Sequence, residues 1–137
     1  MEADTLTYLT AGWMEGLTAS YLNTATHELE PGPVYDTEAF SNIDPYDLYL
    51  KGPQPLVVLE NPNAGQNKTL YLFRDSFGSS LAPLLAASYS KVVLIDLRYL
   101  ASPAVQQLIA FEPGSEALFL YSSQILNDSS LLLVSGV

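Results

Sequence analysis

The stretch "LYLFRDSFGSSLAPLL", residues 70–85, decides how the chain is interpreted. Its first four residues form a continuous apolar run, which is typical of a strand buried on both faces of a sheet. Its second half has leucines near helical spacing, so four polar or small residues fall where strand becomes helix: Arg74, Asp75, Ser76 and Gly78. Two interpretations follow. These residues either cap the helix and close the turn, or present Ser76 as a nucleophile at the edge of the sheet.

Two further apolar runs follow the first, "VVLI" at 92–95 and "ALFLY" at 117–121. Each gap between consecutive runs is long enough for a crossover helix, with Ser79 and Ser102 as the expected N-caps. Right-handed crossovers would place the three strands side by side. Residues 68–137 therefore predict a β-α-β-α-β unit with a parallel sheet, followed by a short helical or looped segment.

The first half of the chain has a less regular pattern. Alternating residues predict a strand over residues 4–11, and the extended segment after it is expected to break at 31–33, the sequence Pro-Gly-Pro. A turn or short helix is expected at 45–50. The strand at 55–60 is expected to form a hairpin with the strand that starts at 68.

Composition excludes several classes of function. The 137 residues hold 15 acidic and five basic side chains, a net charge of −10, which would repel nucleic acid and anionic lipid. No apolar run approaches the roughly 20 residues that span a bilayer, so we expect a soluble chain without membrane insertion. Cysteine is absent, which excludes disulfides and thiolate chemistry.

The predicted strands end in polar residues that we expect to meet in one crevice. Ligands of open α/β sheets bind at the carboxyl ends of the strands. Those ends carry Ser76 with its neighbours, then Asp96 and Arg98, then the pair at 122–123. A serine there can attack an acyl carbonyl, and the backbone N–H groups of Ser76 and Gly78 are candidate oxyanion donors.

Other side chains limit this chemistry. A serine nucleophile needs a base, and the only histidine is His27, which lies far away in sequence. Arg98 is most simply an ion-pair partner of Asp75 or Asp96. These two aspartates could together hold Mg²⁺, but two carboxylates alone are a weak ligand set, so we predict no metal and no cofactor.

Three segments together resemble a known family. They are "DPYDLYLKGPQPLVVLEN" from Asp44, "RDSFGSSLAPLLA" from Arg74 and "VVLIDLRY" from Val92. In this order they resemble the C-terminal part of the bacterial DHHW proteins. These are relatives of the SGNH-like acyltransferases and esterases that include the alginate O-acetylation proteins.

The resemblance implies a fold and a site. The fold would be a three-layer, SGNH-hydrolase-like (flavodoxin-like) α/β domain over 1–137, with an irregular, partly extended N-terminal half. Ser76 matches the family's nucleophile, and Arg74, Asp75, Asp96 and Arg98 would support the turn. The family's Asp-His pair lies upstream of this serine. It is missing here, so we expect a chain truncated at its N-terminus.

Two functions remain open on these grounds. The first is the C-terminal portion of a serine esterase or O-acyltransferase acting on cell-envelope polysaccharide, inactive as this fragment and extracytoplasmic in the full-length protein. The second is a non-catalytic module that binds glycan or protein on an SGNH-like shell. In either case a surface exposed by truncation could support a homodimer.

Overall fold

The computed structural model describes residues 5, 7–41 and 43–134. Its strands are β1 (Thr18–Leu22), β2 (Leu29–Gly32), β3 (Leu56–Glu60), β4 (Gln66–Arg74), β5 (Tyr89–Ile95) and β6 (Glu116–Leu120). Its α-helices are α1 (Gly78–Leu85), α2 (Ser102–Leu108) and α3 (Ser123–Asn127), and short 3₁₀ helices lie at Gly12–Met14, Thr37–Ser41, Pro45–Leu48 and Ser129–Leu131. The strands form one six-stranded sheet in the order β2-β1-β3-β5-β4-β6.

The β-α-β-α-β unit predicted for the second half is confirmed. β4 lies between β5 and β6 and runs parallel to both, with Leu72 opposite Leu94 on one side and Leu118 on the other. Leu72 and Leu94 are fully buried, as their apolar runs indicated, but the third run is mostly exposed, because β6 lies at the edge of the sheet. The fold is therefore α/β, with helices connecting parallel strands.

The predicted hairpin between the strand at 55–60 and β4 is wrong. β3 runs antiparallel beside β5, from Leu56 opposite Ile95 to Glu60 opposite Lys91. The chain leaves β3 through a loop bonded to the region around the start of β5, where the Asn61 N–H donates to the Ser90 carbonyl at 2.9 Å. β5 thus lies between two strands that are neighbours in sequence, and both of its edges are paired.

The first half differs from its predicted pattern in two places. Residues 5 and 7–11 form no strand, and the rest of the predicted strand at 4–11 lies outside the described residues. The extended segment is a hairpin of β1 and β2 that turns at 23–28, not at 31–33. Pro31 lies within β2, at the edge of the sheet, where its missing N–H costs no interior hydrogen bond. The expected short helix is confirmed as the 3₁₀ helix Pro45–Leu48.

The two predicted serine N-caps are also wrong. The N-cap of α1 is Phe77, two residues before the predicted Ser79, and Ser79 is buried inside the helix. α2 has Ala101 at the N-cap and Ser102 as its first residue. In α1 the capping is done from outside the helix, because the Asp75 carboxylate accepts the Phe77 N–H at 3.1 Å.

Apolar clusters lie on both faces of the sheet and fix the positions of the helices. One cluster packs Ala82 of α1 and its C-cap Ala86 against strand residues such as Leu72. The other packs Val105 of α2 against residues such as Phe73. Within the described residues, no helix combines the length and apolarity needed to cross a bilayer.

Candidate functional site

The candidate site lies where the three parallel strands β4, β5 and β6 end. The chain leaves β4 at Arg74 and enters α1 at Gly78, so Ser76 lies in the turn between strand and helix. Asp96 directly follows β5, and Tyr121 directly follows β6. The sequence pattern thus placed its polar residues correctly at one edge of the sheet.

Asp75 holds the turn closed. It is 2% exposed, and one carboxylate oxygen accepts the Phe77 N–H while the other accepts the Ser122 N–H at 2.6 Å. Its own N–H donates to the Leu120 carbonyl at 3.4 Å. Asp75 therefore caps α1 and ties the end of β6 to the end of β4.

Ser76 takes no part in this capping. The residue is exposed, and its hydroxyl has no hydrogen-bond partner among residues 5, 7–41 and 43–134. Only its backbone carbonyl bonds within the turn, accepting the Ser79 N–H at 3.0 Å. The hydroxyl is therefore free to meet a ligand at the rim of the sheet.

Only one of the two predicted oxyanion donors has a free N–H. The Gly78 N–H donates to the Asp75 carbonyl at 3.1 Å, so it closes the turn and is not available to a ligand. The Ser76 N–H has no acceptor within the described part of the chain. Gly78 has a steric role instead, because a Cβ at this position would lie 2.6 Å from the Arg74 Cβ.

Beneath the turn, two arginines share one buried carboxylate. Arg74 is 0% exposed and donates to Asp96 Oδ2 at 3.2 Å, and Arg98 donates to both Asp96 oxygens, at 2.9 and 2.6 Å. Burial lowers the pKa of Arg74. The hydrogen bond to Asp96 raises the pKa of Arg98. Of its two predicted partners, Arg98 takes Asp96.

The same bonds engage the two carboxylates that the magnesium alternative would use. Every carboxylate oxygen of Asp75 and Asp96 already accepts at least one N–H donor. Within the described residues, no group of three or more acidic, histidine or cysteine side chains is placed to hold a metal ion.

The sequence pattern missed the residues that frame the site. Tyr121 lies among Asp75, Asp96 and the two arginines, and its hydroxyl is buried with no partner in the described structure. Burial raises its pKa to about 12, so it stays protonated at neutral pH. The only signal was its position as the last residue of an apolar run.

The segment before β3 also borders the candidate site, and the sequence pattern did not indicate this. Because β3 is antiparallel to β5, its start lies at the carboxyl ends of the parallel strands. The Gln54 carbonyl accepts from Arg74 Nη2 at 3.3 Å, and the Pro55 carbonyl accepts the Asp96 N–H at 3.0 Å. Tyr46, on the 3₁₀ helix before this segment, donates its hydroxyl to Ser80 Oγ at 2.9 Å.

His27 is not brought to Ser76. It lies in the β1–β2 turn with a φ of 59° and is exposed. β1 is three places from β4 in the sheet, which corresponds to about 14 Å at ~4.8 Å per strand. His27 instead lines a cavity of about 540 Å³ on the α2 face of the sheet.

Comparisons with known proteins support the fold. No protein-family model matches the chain, and no curated protein matches it. Among solved structures, PatB1 of Bacillus cereus superposes with a TM-score of 0.58 and 28% identity over 85% of this chain and 36% of that one. PatB1 with a sulfonyl adduct gives a TM-score of 0.55 and 25% identity over 85% of this chain and 37% of that one.

A third structure carries the family name. It is a DHHW family protein from Eubacterium siraeum DSM 15702, with a TM-score of 0.55 and 19% identity over 88% of this chain and 41% of that one. The chain therefore spans about two-fifths of the length of the structures it matches, at low identity. The chain thus has a DHHW-type fold, which confirms the resemblance indicated by the segments from Asp44 onward.

Proposed function

We propose that this chain carries the nucleophile of a serine-dependent O-acyltransferase or esterase of the SGNH-like type, acting on polysaccharide of the cell envelope. One observation carries the proposal. Ser76 has an exposed hydroxyl at the carboxyl ends of the parallel strands that no described residue hydrogen-bonds, while its neighbour Asp75 does the capping that would otherwise explain a polar turn. An extracytoplasmic location belongs to the same proposal, because that is where the substrate is found.

The proposed chemistry uses two atoms of Ser76. Its Oγ attacks the acyl carbonyl and its proton passes to a base, which leaves a negative charge on the carbonyl oxygen. The Ser76 N–H donates to that oxygen, and the N-terminal end of the eight-residue helix α1 favours the same charge. The acyl group then moves to a sugar hydroxyl or to water.

The described part of the chain brings no histidine to Ser76 to serve as its base. DHHW-type proteins place an Asp-His pair before the serine, and His27 lies three strands away from Ser76. We therefore expect little or no turnover by this chain alone, since removing the histidine of a triad costs several orders of magnitude in rate. A test of the nucleophile must supply a base from solution.

An arylsulfonyl fluoride with added imidazole meets this need, because a sulfonyl adduct is known for PatB1. The Ser76 Oγ–S bond forms, the S–F bond breaks, fluoride leaves and imidazole takes the proton. Peptide mass spectrometry is expected to find the label on Ser76, faster with imidazole than without. Ser76→Ala should lose the label.

The matched control is Ser80→Ala, which removes another hydroxyl one helical turn further on, and it should keep the label on Ser76. Labelling spread evenly over many hydroxyls, and equal in Ser76→Ala, would show that Ser76 is not an activated nucleophile.

A second function is favoured by the surface beside the site. The Arg98 guanidinium lies over the ring of Tyr99, 5.3 Å from its centre, and the Tyr99 ring is 53% exposed, which makes it a candidate for contact with a sugar. A non-catalytic glycan-binding module would use this surface. Affinity electrophoresis in acetylated polysaccharide would then show retention that Tyr99→Ala weakens and Ser76→Ala leaves unchanged.

A further inference from the structure

β6 is an edge strand with apolar side chains exposed on both of its faces. One of its edges pairs with β4, and the sheet order places no described strand on its other edge. Leu118 is 38% exposed on one face and Phe119 is 63% exposed on the other. Phe119 stacks on Phe73 of β4 at 4.5 Å between ring centres, and its outer side faces solvent. Such an edge is a template for another strand.

The opposite edge of the sheet is protected in a way that β6 is not. β2 has the sequence "LEPG", in which Pro31 lacks an N–H and Glu30 is an exposed charge. Prolines and charges are the usual means by which proteins block edge pairing. In β6 the only charged residue is Glu116, at the first position, and Lys68 already neutralises it.

Charge also favours β6 as the side where two copies can meet. Ten of the 15 acidic residues and only one of the five basic residues lie in 1–60, and the rest of the chain has five acidic and four basic ones. Glu116 of β6 is paired with Lys68 of β4, and Glu112, in the loop before β6, is paired with Lys91 of β5. Contact through β6 therefore keeps the two acidic halves apart.

We propose that the partner of this edge is a second copy of the chain, whose β6 pairs antiparallel with the first about a two-fold axis at Leu118. Leu118 then lies opposite its own copy, Phe119 lies opposite Ala117, and Glu116 lies opposite Leu120. The two copies of Leu118 form an apolar pair, the large Phe119 faces the small Ala117, and no two like charges are opposed. The two six-stranded sheets become one continuous sheet.

Sedimentation velocity over a range of protein concentrations tests the dimer. The wild-type chain should move from the 14.9 kDa monomer towards twice that mass as concentration rises. Leu118→Lys brings two lysines together at the axis and should raise the dimer dissociation constant at least tenfold. Leu29→Lys, on the β2 edge, is the control and should leave the constant unchanged, with circular dichroism checking the fold of both variants.

The absence of cysteine allows a second, direct measurement. Residues directly opposite in an antiparallel pair have Cβ atoms about 4.5–5.5 Å apart, close enough for a disulfide after a small adjustment. Under mild oxidation Leu118→Cys should form a covalent dimer much faster than Leu29→Cys. A wild-type chain that stays monomeric, or a dimer that persists in Leu118→Lys without cross-linking at 118, would overturn the proposal.

Discussion

Gly78 lies against the Arg74 side chain, so the first turn of α1 has no room for a Cβ. The added atom would be 2.6 Å from the Arg74 Cβ and 3.0 Å from its Cγ. Arg74 has little freedom to move away, because Asp96 and the Gln54 carbonyl hold its guanidinium. The glycine therefore sets how closely α1 approaches the end of β4, and with it the position of Ser76.

Gly78→Ala is expected to lower the free energy of unfolding by about 1–3 kcal/mol, the usual range for overpacking in a tight site. Urea unfolding followed by circular dichroism measures it. Gly12→Ala is the matched control, because a Cβ there meets nothing within 4 Å, and it should change the free energy by no more than about 0.5 kcal/mol. Equal effects in the two variants would refute the steric role.

The individual residues of the site were predictable to different degrees. Asp75 and Asp96 stand out because each lies within two residues of the end of an apolar run. The use of the Gly78 N–H could not be foreseen, since it depends on how the turn closes rather than on residue type. Tyr121 could not be identified from the sequence, because an aromatic residue at the end of a strand predicts only packing. Its position beside the charged cluster depends on the folded structure.

At the scale of elements, the residue patterns predicted where the strands lie in the sequence better than which strands are adjacent in the sheet. The burial of β3, β4 and β5 follows from their apolar runs, and their existence was predicted. The position of β5 between β3 and β4 was not, because all three strands are similarly apolar and a short loop favours a hairpin. β3 pairs with β5 instead, and this arrangement buries both edges of β5. No local sequence pattern indicates which edges of a strand will be paired.

The loop between α2 and β6 is attached to the sheet through Glu112. Its carboxylate accepts the Thr69 hydroxyl at 2.5 Å and the Lys91 ammonium at 3.1 Å. These bonds, with Thr69 first, lower the pKa of Glu112 below its ordinary value of 4.5. Since the folded pKa lies below the unfolded one, the stabilisation is complete above about pH 4.5 and is lost as the pH falls through the folded value.

Glu112→Gln should therefore flatten the fall in stability below pH 4.5, as followed by thermal unfolding at a series of pH values. Glu28→Gln is the control. Glu28 is exposed in the β1–β2 turn, and its carboxylate has no bond or ion pair with the residues that the structure describes. The prediction would be contradicted if the stability of Glu112→Gln fell below pH 4.5 as steeply as that of the wild type.

At the scale of the whole molecule, the acid excess in residues 1–60 should oppose folding by self-repulsion. Raising NaCl from about 0.05 M to about 0.5 M shortens the screening length from roughly 14 to 4 Å. The melting temperature is therefore expected to rise by a few degrees, as measured by calorimetry. A variant with Glu15→Gln and Glu38→Gln should gain less from salt. A melting temperature that falls with salt would show that ion pairs outweigh repulsion.

The reversed direction of β3 has a consequence for how the two halves of the chain depend on each other. Ser76 belongs to the second half, but the carbonyls that hold Arg74 and Asp96 in place come from residues 54 and 55 of the first. A single proteolytic cut in the 61–65 connection would leave every residue of the strand, turn and helix intact. Yet the two pieces would have to stay associated for the serine to keep its surroundings, so sulfonyl labelling of Ser76 after cleavage would report on their association.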